Sequence, residues 1–219
     1  MLVSDYFDVC YRAPGRYWWR CEDPYSTDPD HYPYSLLTQM TLRLIKDQPP
    51  GRALDLGAGE GADSIRLARC GYDVTAVEIS GVGAEKIGRF ADAAAVVVKV
   101  ENADISDYVP DGEFDLIICN GVLHYIEDKR LVLERIQSAT RPGGLNVVSL
   151  WSNFTPIPDC HKSVPAFCDA EAGIVTERYA DERWRREFLY FERNKPDTAH
   201  QEKQEHSHSH IKLIARKVA

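Results

Sequence analysis

Leu54-Asp55-Leu56-Gly57-Ala58-Gly59-Glu60-Gly61 is the stretch from which the rest of the chain is read. It opens inside a short apolar strand, Arg52 to Leu56, and breaks into a loop with glycine at every second position. A helix is predicted from about Ala62 to Cys70. A strand running through a glycine loop into a helix N-terminus leaves backbone N–H groups unpaired and aimed at one spot. Glycines let a ligand approach the backbone with no Cβ in the way. The stretch therefore reads as a nucleotide-type cradle. No Lys-Ser or Lys-Thr follows it, which excludes a P-loop. A dinucleotide fingerprint stays readable as Gly57, Gly59 and Ala62.

Around this stretch the chain divides into strands and helices. Ser35 to Lys46 reads as a helix, since Leu36, Leu37, Met40, Leu44 and Ile45 recur at helical spacing and Pro49-Pro50-Gly51 ends the run. Asp73–Glu78 is a strand ending in an acid, and Gly81–Ala93 a helix weakened by two glycines. Ala95–Val100 is β-branched and apolar on both faces, the pattern of a buried parallel strand. Phe114–Asn120 is the fourth strand, Leu131–Ala139 a helix, and Leu145–Leu150 the fifth strand. Between them Arg141-Pro142-Gly143-Gly144 is a structural turn. Asp169–Ala180 is predicted helical, Trp184–Arg193 a strand rich in β-formers, and Ile211–Val218 the last strand.

A chain of 219 residues is most simply one domain with a full core. The net charge of −8 argues against a phosphate-backbone binder, so no nucleic-acid partner is expected. No run of eighteen apolar residues exists, so no membrane span is expected. The N-terminus shows no basic region followed by an apolar stretch, so no signal peptide is expected. Six scattered cysteines, with no Cys-x-x-Cys pair, read as reduced thiols in a cytoplasmic protein.

Several residues stand out chemically. Glu78, at a strand end, can accept both ribose hydroxyls of an adenosine ligand through charge-assisted bonds. The end of the fourth strand, Asn120-Gly121, faces the ligand crevice of an open α/β sheet. His124, one turn further on, reads either as a packing or capping histidine or as a general base. Residues 1–34 are dense in aromatics, Tyr17, Trp18 and Trp19 among them, and are punctuated by Pro14-Gly15, Pro24, Pro29 and Pro33. Short helices and turns are predicted there, either as a packing flap or as a lid over a site with one wet and one dry side.

Asp55 to Gly61 resembles motif I of the class I S-adenosylmethionine (SAM) methyltransferases. Phe114-Asp115-Leu116-Ile117, then Val122-Leu123-His124, is similar to that family's motif IV region, and Arg141-Pro142-Gly143-Gly144 is a further landmark. Over most of residues 52–219 the chain resembles the tellurite-resistance (TehB-type) methyltransferases. The signals are Pro158-Asp159-Cys160 to Phe167, Arg178-Tyr179 to Trp184, and Leu213 to Lys217. The first fifty residues do not match well, so the acceptor is not carried over. The resemblance implies a Rossmann-like, doubly wound α/β fold: a seven-stranded sheet, mostly parallel, with an antiparallel last strand. Residues 1–50 then form an aromatic lid and a helix, and residues 51–219 a core with a cover insert at about 151–170. It implies cofactor contacts from Asp55, Gly57, Ala58, Gly59, Gly61, Glu78, Ile79, Asn120 and Gly121. It implies that Asp104 accepts from the adenine amino group and that the N–H of Ile105 serves a ring nitrogen, with Asp107 as the competing acid. The acceptor would meet Tyr17, Trp18, Trp19, His124 and His161.

The expected activity is transfer of the SAM methyl to a small-molecule acceptor at O, N, S or a chalcogen, in secondary metabolism or detoxification. The expected product is S-adenosylhomocysteine, and the expected state a monomer or homodimer. Methyl transfer requires orientation and exclusion of water, which supply on the order of 7–11 kcal/mol, and no covalent intermediate. Candidate bases are His124, His161 and His31. The rival readings are a catalytically silent SAM-binding regulator and an NAD-binding oxidoreductase. Asp55, Asp104 and the lack of a second mononucleotide half speak against the latter. His206, His208 and His210 fall on one face if the last strand starts early, at about 7 Å steps. That spacing is wide for three ligands on one ion, and a metal-independent enzyme is expected.

Overall fold

The computed structural model describes residues 2–18, 21–31, 35–161, 164–168, 173–196 and 205–218. Trp19 lies outside them. The elements in chain order are α1 (Val3–Tyr11), α2 (Leu36–Ile45), β1 (Arg52–Leu56), α3 (Ala62–Arg69), β2 (Asp73–Glu78), α4 (Gly81–Ala93), β3 (Lys99–Asn102), β4 (Phe114–Asn120), α5 (Lys129–Ser138), β5 (Thr140–Trp151), α6 (Gly173–Arg178), β6 (Trp184–Pro196) and β7 (Ser207–Lys217). The strands form one seven-stranded sheet in the order β3-β2-β1-β4-β5-β7-β6. The first five run parallel. β7 enters antiparallel between β5 and β6.

Alternation along the central strands divides the core in two. Leu116 and Ile118 of β4 join Leu37, Leu42 and Ile45 of α2 and Leu67 of α3. Ile117 and Cys119 join Val132, Leu133 and Ile136 of α5, and Ile174, Val175 and Tyr179 on the opposite face. A period of two with both faces apolar is what a parallel strand under helices on both sides requires. The helix starts are capped locally. Ser35 accepts from the Thr38 N–H at 3.2 Å, Ser80 from Gly83 at 2.9 Å, and Asp128 from Leu131 at 3.0 Å. Each satisfies one orphan donor of its helix.

Three of the boundaries that differ from the sequence reading bear on the sheet. β3 is the short edge strand Lys99–Asn102, and Val97, read as buried strand, is 88% exposed. β-branched residues there signal propensity, but tertiary context leaves them outside the ladder. β5 starts at Thr140, and its register with β4 shifts between Phe114 and Leu116. Arg141–Gly144 is therefore a bulge within the strand, where Pro142 need not donate to the ladder and Gly143 takes φ 82°. β7 already begins at Ser207. None of the five cysteines whose side chains are described forms a disulfide, and no helix among the described residues is long and apolar enough to cross a membrane.

Candidate functional site

A cleft of about 660 Å³ opens at the carboxyl ends of β1, β2, β4 and β5, a size that suits a cofactor-sized ligand. Strand order reverses between β1 and β4, the place where open α/β sheets bind ligands. Asp55, Gly57, Ala58, Gly59, Glu78, Ile79, Asp104, Ile105, Asn120, Gly121, His124, Tyr17 and Trp18 all line it.

The glycine loop is closed on itself. Gly57 and Ala58 donate their N–H groups to Val77 O at 2.8 and 3.0 Å, and Gly61 donates to Ala58 O at 2.9 Å. The Gly59 N–H goes to Glu78 Oε2 at 2.7 Å. The expectation that these donors converge on a ligand is therefore corrected: they brace the loop against β2. Gly57 takes φ 71°, and a Cβ there would lie 2.4 Å from Val122 Cγ2, so only glycine fits. Gly61 takes φ 79°, faces Ile87 and stands outside the cleft lining.

Two buried carboxyls form the floor. Glu78 Oε1 accepts from the Ser80 N–H at 2.9 Å, and burial pushes its pKa up from 4.5 to about 7. Asp55 accepts from Ser64 Oγ at 2.6 Å; burial first, then the nearby Asp63, push it up to about 7. Beside them a polar chain runs from Arg66 to Asp63, from Asn120 Nδ2 to Asp63 Oδ2 at 3.1 Å, and from Ser149 Oγ to Asn120 Oδ1 at 2.6 Å. Ser149 Oγ also accepts the Gly121 N–H at 2.9 Å. This fixes the end of β4, while the space beside the Gly121 Cα stays open.

The roof is the N-terminal segment. Phe7, Tyr11, Tyr17 and Trp18 line the cleft. Trp18 Nε1 donates to Tyr11 Oη at 3.1 Å, and Phe7 meets Tyr125 edge-on at 5.3 Å. The anchor is Glu60, only 2% exposed. Its carboxylate accepts the Tyr17 and Trp18 N–H groups at 2.8 and 2.9 Å and pairs with Lys86 Nζ at 2.7 Å. Asp8 adds a second tie to Ser80 Oγ at 2.5 Å.

The far wall comes from Tyr125, Trp151 and the ends of β6 and β7, including Glu192, Lys195, His208, His210 and Lys212. Within 151–170, the predicted cover, Trp151 alone among the described residues lines the cleft. His124 and His208 sandwich Trp151 at 4.0 and 4.3 Å, nearly parallel. His124 Nδ1 accepts the Trp151 N–H at 3.2 Å. Burial, with His210, His208, Lys129 and His161 nearby, holds its pKa well below 6.5. His124 is thus a neutral ring whose Nε2 carries the proton. It suits a hydrogen-bond donor, not the base considered from sequence. His161 is fully buried and does not line the cleft; nor do His31 or Asp107. Sequence reasoning missed Tyr11, Glu60 and, of the β6–β7 wall, Glu192, Lys195 and Lys212, while His208 and His210 stood out in the histidine tract. The acid between two motif glycines was the one visible signal for Glu60.

Sheet order, the crevice position and the reversed β7 define a class I SAM-dependent methyltransferase fold. A family model described as a methyltransferase domain matches residues 30–215, and the chain belongs to that family. Among curated relatives, a putative methyltransferase of Bacillus subtilis is 31% identical over 134 residues, 57% of this chain and 51% of that protein. A tRNA 5-carboxymethoxyuridine methyltransferase of Escherichia coli is 28% identical over 55% of this chain and 49% of its own. The chain spans about half the length of the curated relatives it matches. Among solved structures, TehB from Haemophilus influenzae superposes with a TM-score of 0.66 at 20% identity, covering 98% of this chain and 66% of that one. The N-methyltransferase NodS from Bradyrhizobium japonicum gives 0.66 at 17%, covering 99% and 98%. At these identities the likeness is one of fold.

Proposed function

We propose that this chain transfers the methyl group of SAM to a small-molecule acceptor held under the N-terminal roof. The observation that carries the reading is the glycine loop. The Gly57, Ala58 and Gly59 N–H groups are spent on β2 and on Glu78 and offer nothing to a pyrophosphate, while two buried carboxyls line the cleft. SAM has no phosphate and carries a sulfonium and an ammonium, which such a floor favours. This argues against a dinucleotide. SAH-bound relatives of the same fold, NodS among them, agree with it.

When bound, SAM supplies a methyl already activated on sulfur. Glu78 is suited to accept the ribose hydroxyls with the lone pairs its backbone donors leave, and Asp104 and Ile105 to meet the adenine edge. Asn120 and Gly121 border the methionyl end. Tyr17, Trp18, Tyr125 and Trp151 line the cleft and exclude water from the acceptor, and His124 Nε2–H offers a hydrogen bond to it. A net charge of −8 and a roofed cleft favour a small acceptor over a nucleic acid, although one relative acts on tRNA. Incubation with SAM and a panel of thiols, hydroxylated aromatics and chalcogen oxyanions tests this. Acceptor-dependent release of SAH is expected; SAM binding without turnover on any acceptor would leave a silent binder.

Glu78 gives a second prediction. Glu78→Ala should weaken SAM binding by roughly 1.5–3 kcal/mol, the worth of hydrogen bonds to a charged group. A raised carboxyl pKa also sets a sign. Between its ordinary 4.5 and about 7 the folded state holds a proton that the unfolded chain has lost. Stability from this group therefore falls as pH rises through that window, while the ionised form that attracts SAM grows. SAM affinity should rise from about pH 6 to about pH 8 as apo stability declines. A Glu78→Ala loss below a few tenths of a kcal/mol would move the ribose partner elsewhere.

A further inference from the structure

His161, His206 and His208 come from two distant parts of the chain and bring three ring nitrogens together. His161 Nε2 lies 2.9 Å from His206 Nε2, which lies 3.1 Å from His208 Nε2, and all three ligand atoms fall within 4.8 Å of one another. We propose that these three imidazoles form a binding site for one divalent first-row transition ion of the zinc class, bordering the acceptor end of the cleft.

Hydrogen-bond accounting supports the site. A ring nitrogen offers either one N–H or one lone pair. His206 Nε2 faces two other ring nitrogens, so it cannot make two good hydrogen bonds to them. A cation at the centre removes the conflict, because each ring then directs a lone pair at the same point. Ligand nitrogens about 2.0–2.1 Å from a tetrahedral ion stand roughly 3.3–3.4 Å apart; the two touching pairs, at 2.9 and 3.1 Å, step slightly outward to reach it, while the remaining pair, within 4.8 Å, closes inward. An all-imidazole set suits zinc, copper, nickel or iron over calcium or magnesium.

The rings are also held in place. His208 is 5% exposed and stacks on Trp151 at 4.3 Å, and fully buried His161 meets Trp151 edge-on at 5.0 Å. His161 closes the short helical turn Asp159–His161, its N–H bonded to Pro158 O at 2.9 Å. His206 stands just before β7, where no ladder forces alternation, so its ring can fold back onto its neighbours. The spacing of the tract pointed instead to His206, His208 and His210. His210 Nδ1 lies 3.4 Å from Glu192 Oε2, and its ring centroid is 5.9 Å from that of His208. The third ligand is supplied by the Pro-rich segment. The ion departs from the metal-independent enzyme expected from sequence.

Because His208 also lines the cleft, an open fourth position would take water or an anionic acceptor heteroatom. That role rests on the methyl-transfer reading; ion binding does not. The test uses the full chain, freed of metal by chelator and titrated with Zn²⁺ by calorimetry and with Co²⁺ by absorption. One equivalent is expected, with the absorption of a tetrahedral cobalt site. His161→Ala and His206→Ala should each lower affinity at least on the order of 100-fold, and His210→Ala should leave it unchanged. His206 is half-buried, so its variant keeps the test open if His161→Ala does not fold. No stoichiometric binding, binding indifferent to both variants, or an equal loss in His210→Ala would overturn the proposal. SAM titrated into the chelated protein reports on the methyl-transfer reading separately.

Discussion

Glu60→Ala is expected to lower the stability of the folded protein by about 3–5 kcal/mol, the cost of leaving a buried charge without its partner. Lys86, 4% exposed, would lose the carboxylate that neutralises it and keep only the Gly15 carbonyl at 2.6 Å. The backbone N–H groups of Tyr17 and Trp18 would lose their acceptor in the same step. Those residues are the inner surface of the roof, so the loss should be felt at the site as well as in the fold. Residues 12–18 should become cleavable by protease, and turnover should fall more than global unfolding explains. Denaturant unfolding, limited proteolysis and SAM titration read these three effects. A loss under about 1 kcal/mol with SAM affinity unchanged would show that the roof is held by its aromatic contacts instead.

Gly59→Val should remove SAM binding while leaving the chain folded. Gly59 takes φ 60°, and a Cβ there would stand 3.1 Å from Tyr11 Oη and 3.9 Å from Trp18 Cδ1. A β-branched residue in that region costs of order 1–3 kcal/mol in backbone strain. The strain can be relieved only by moving the loop, which pulls the Gly59 N–H from Glu78 and pushes Tyr11 outward. Floor and roof then shift together over the glycine loop. A fall in affinity of 100-fold or more, about 2.7 kcal/mol, is expected, with Gly59→Ala weaker in effect. Far-ultraviolet circular dichroism separates loss of binding from loss of fold. A valine variant binding within about twofold of the native protein would show that SAM does not lie against this loop.

The parts of the molecule legible in the sequence were those governed by local rules. The β1–loop–α3 unit, α4 and β4 fall close to where the sequence pattern placed them, because strand and helix patterning acts within a few residues. Of the floor residues, Glu78 was legible as an acid at a strand end, and Asp55 through the resemblance of the glycine stretch to motif I; both line the cleft. What depended on distant contacts was not. Val97 has the composition of a strand and lies outside the ladder, since only a neighbouring strand makes an edge. Glu60 reads as a loop acid until the backbone of Tyr17 and Trp18 is brought to it. The wall built by Glu192, His208 and Lys212 depends on β7 entering antiparallel beside β5, so that its first residues, not its last, face the cleft. His124 was visible as a candidate, but its role turned on which nitrogen is occupied, and only the Trp151 N–H decides that.

The central claim is that the closed glycine loop and the two buried carboxyls form a seat for SAM. Calorimetric titration of the chain with SAM, SAH and NAD at about pH 8 tests it most directly. SAM and SAH should bind with one site and micromolar dissociation, about −8 kcal/mol, and NAD should give no saturable heat. Saturable NAD binding with no heat from SAM would contradict the account.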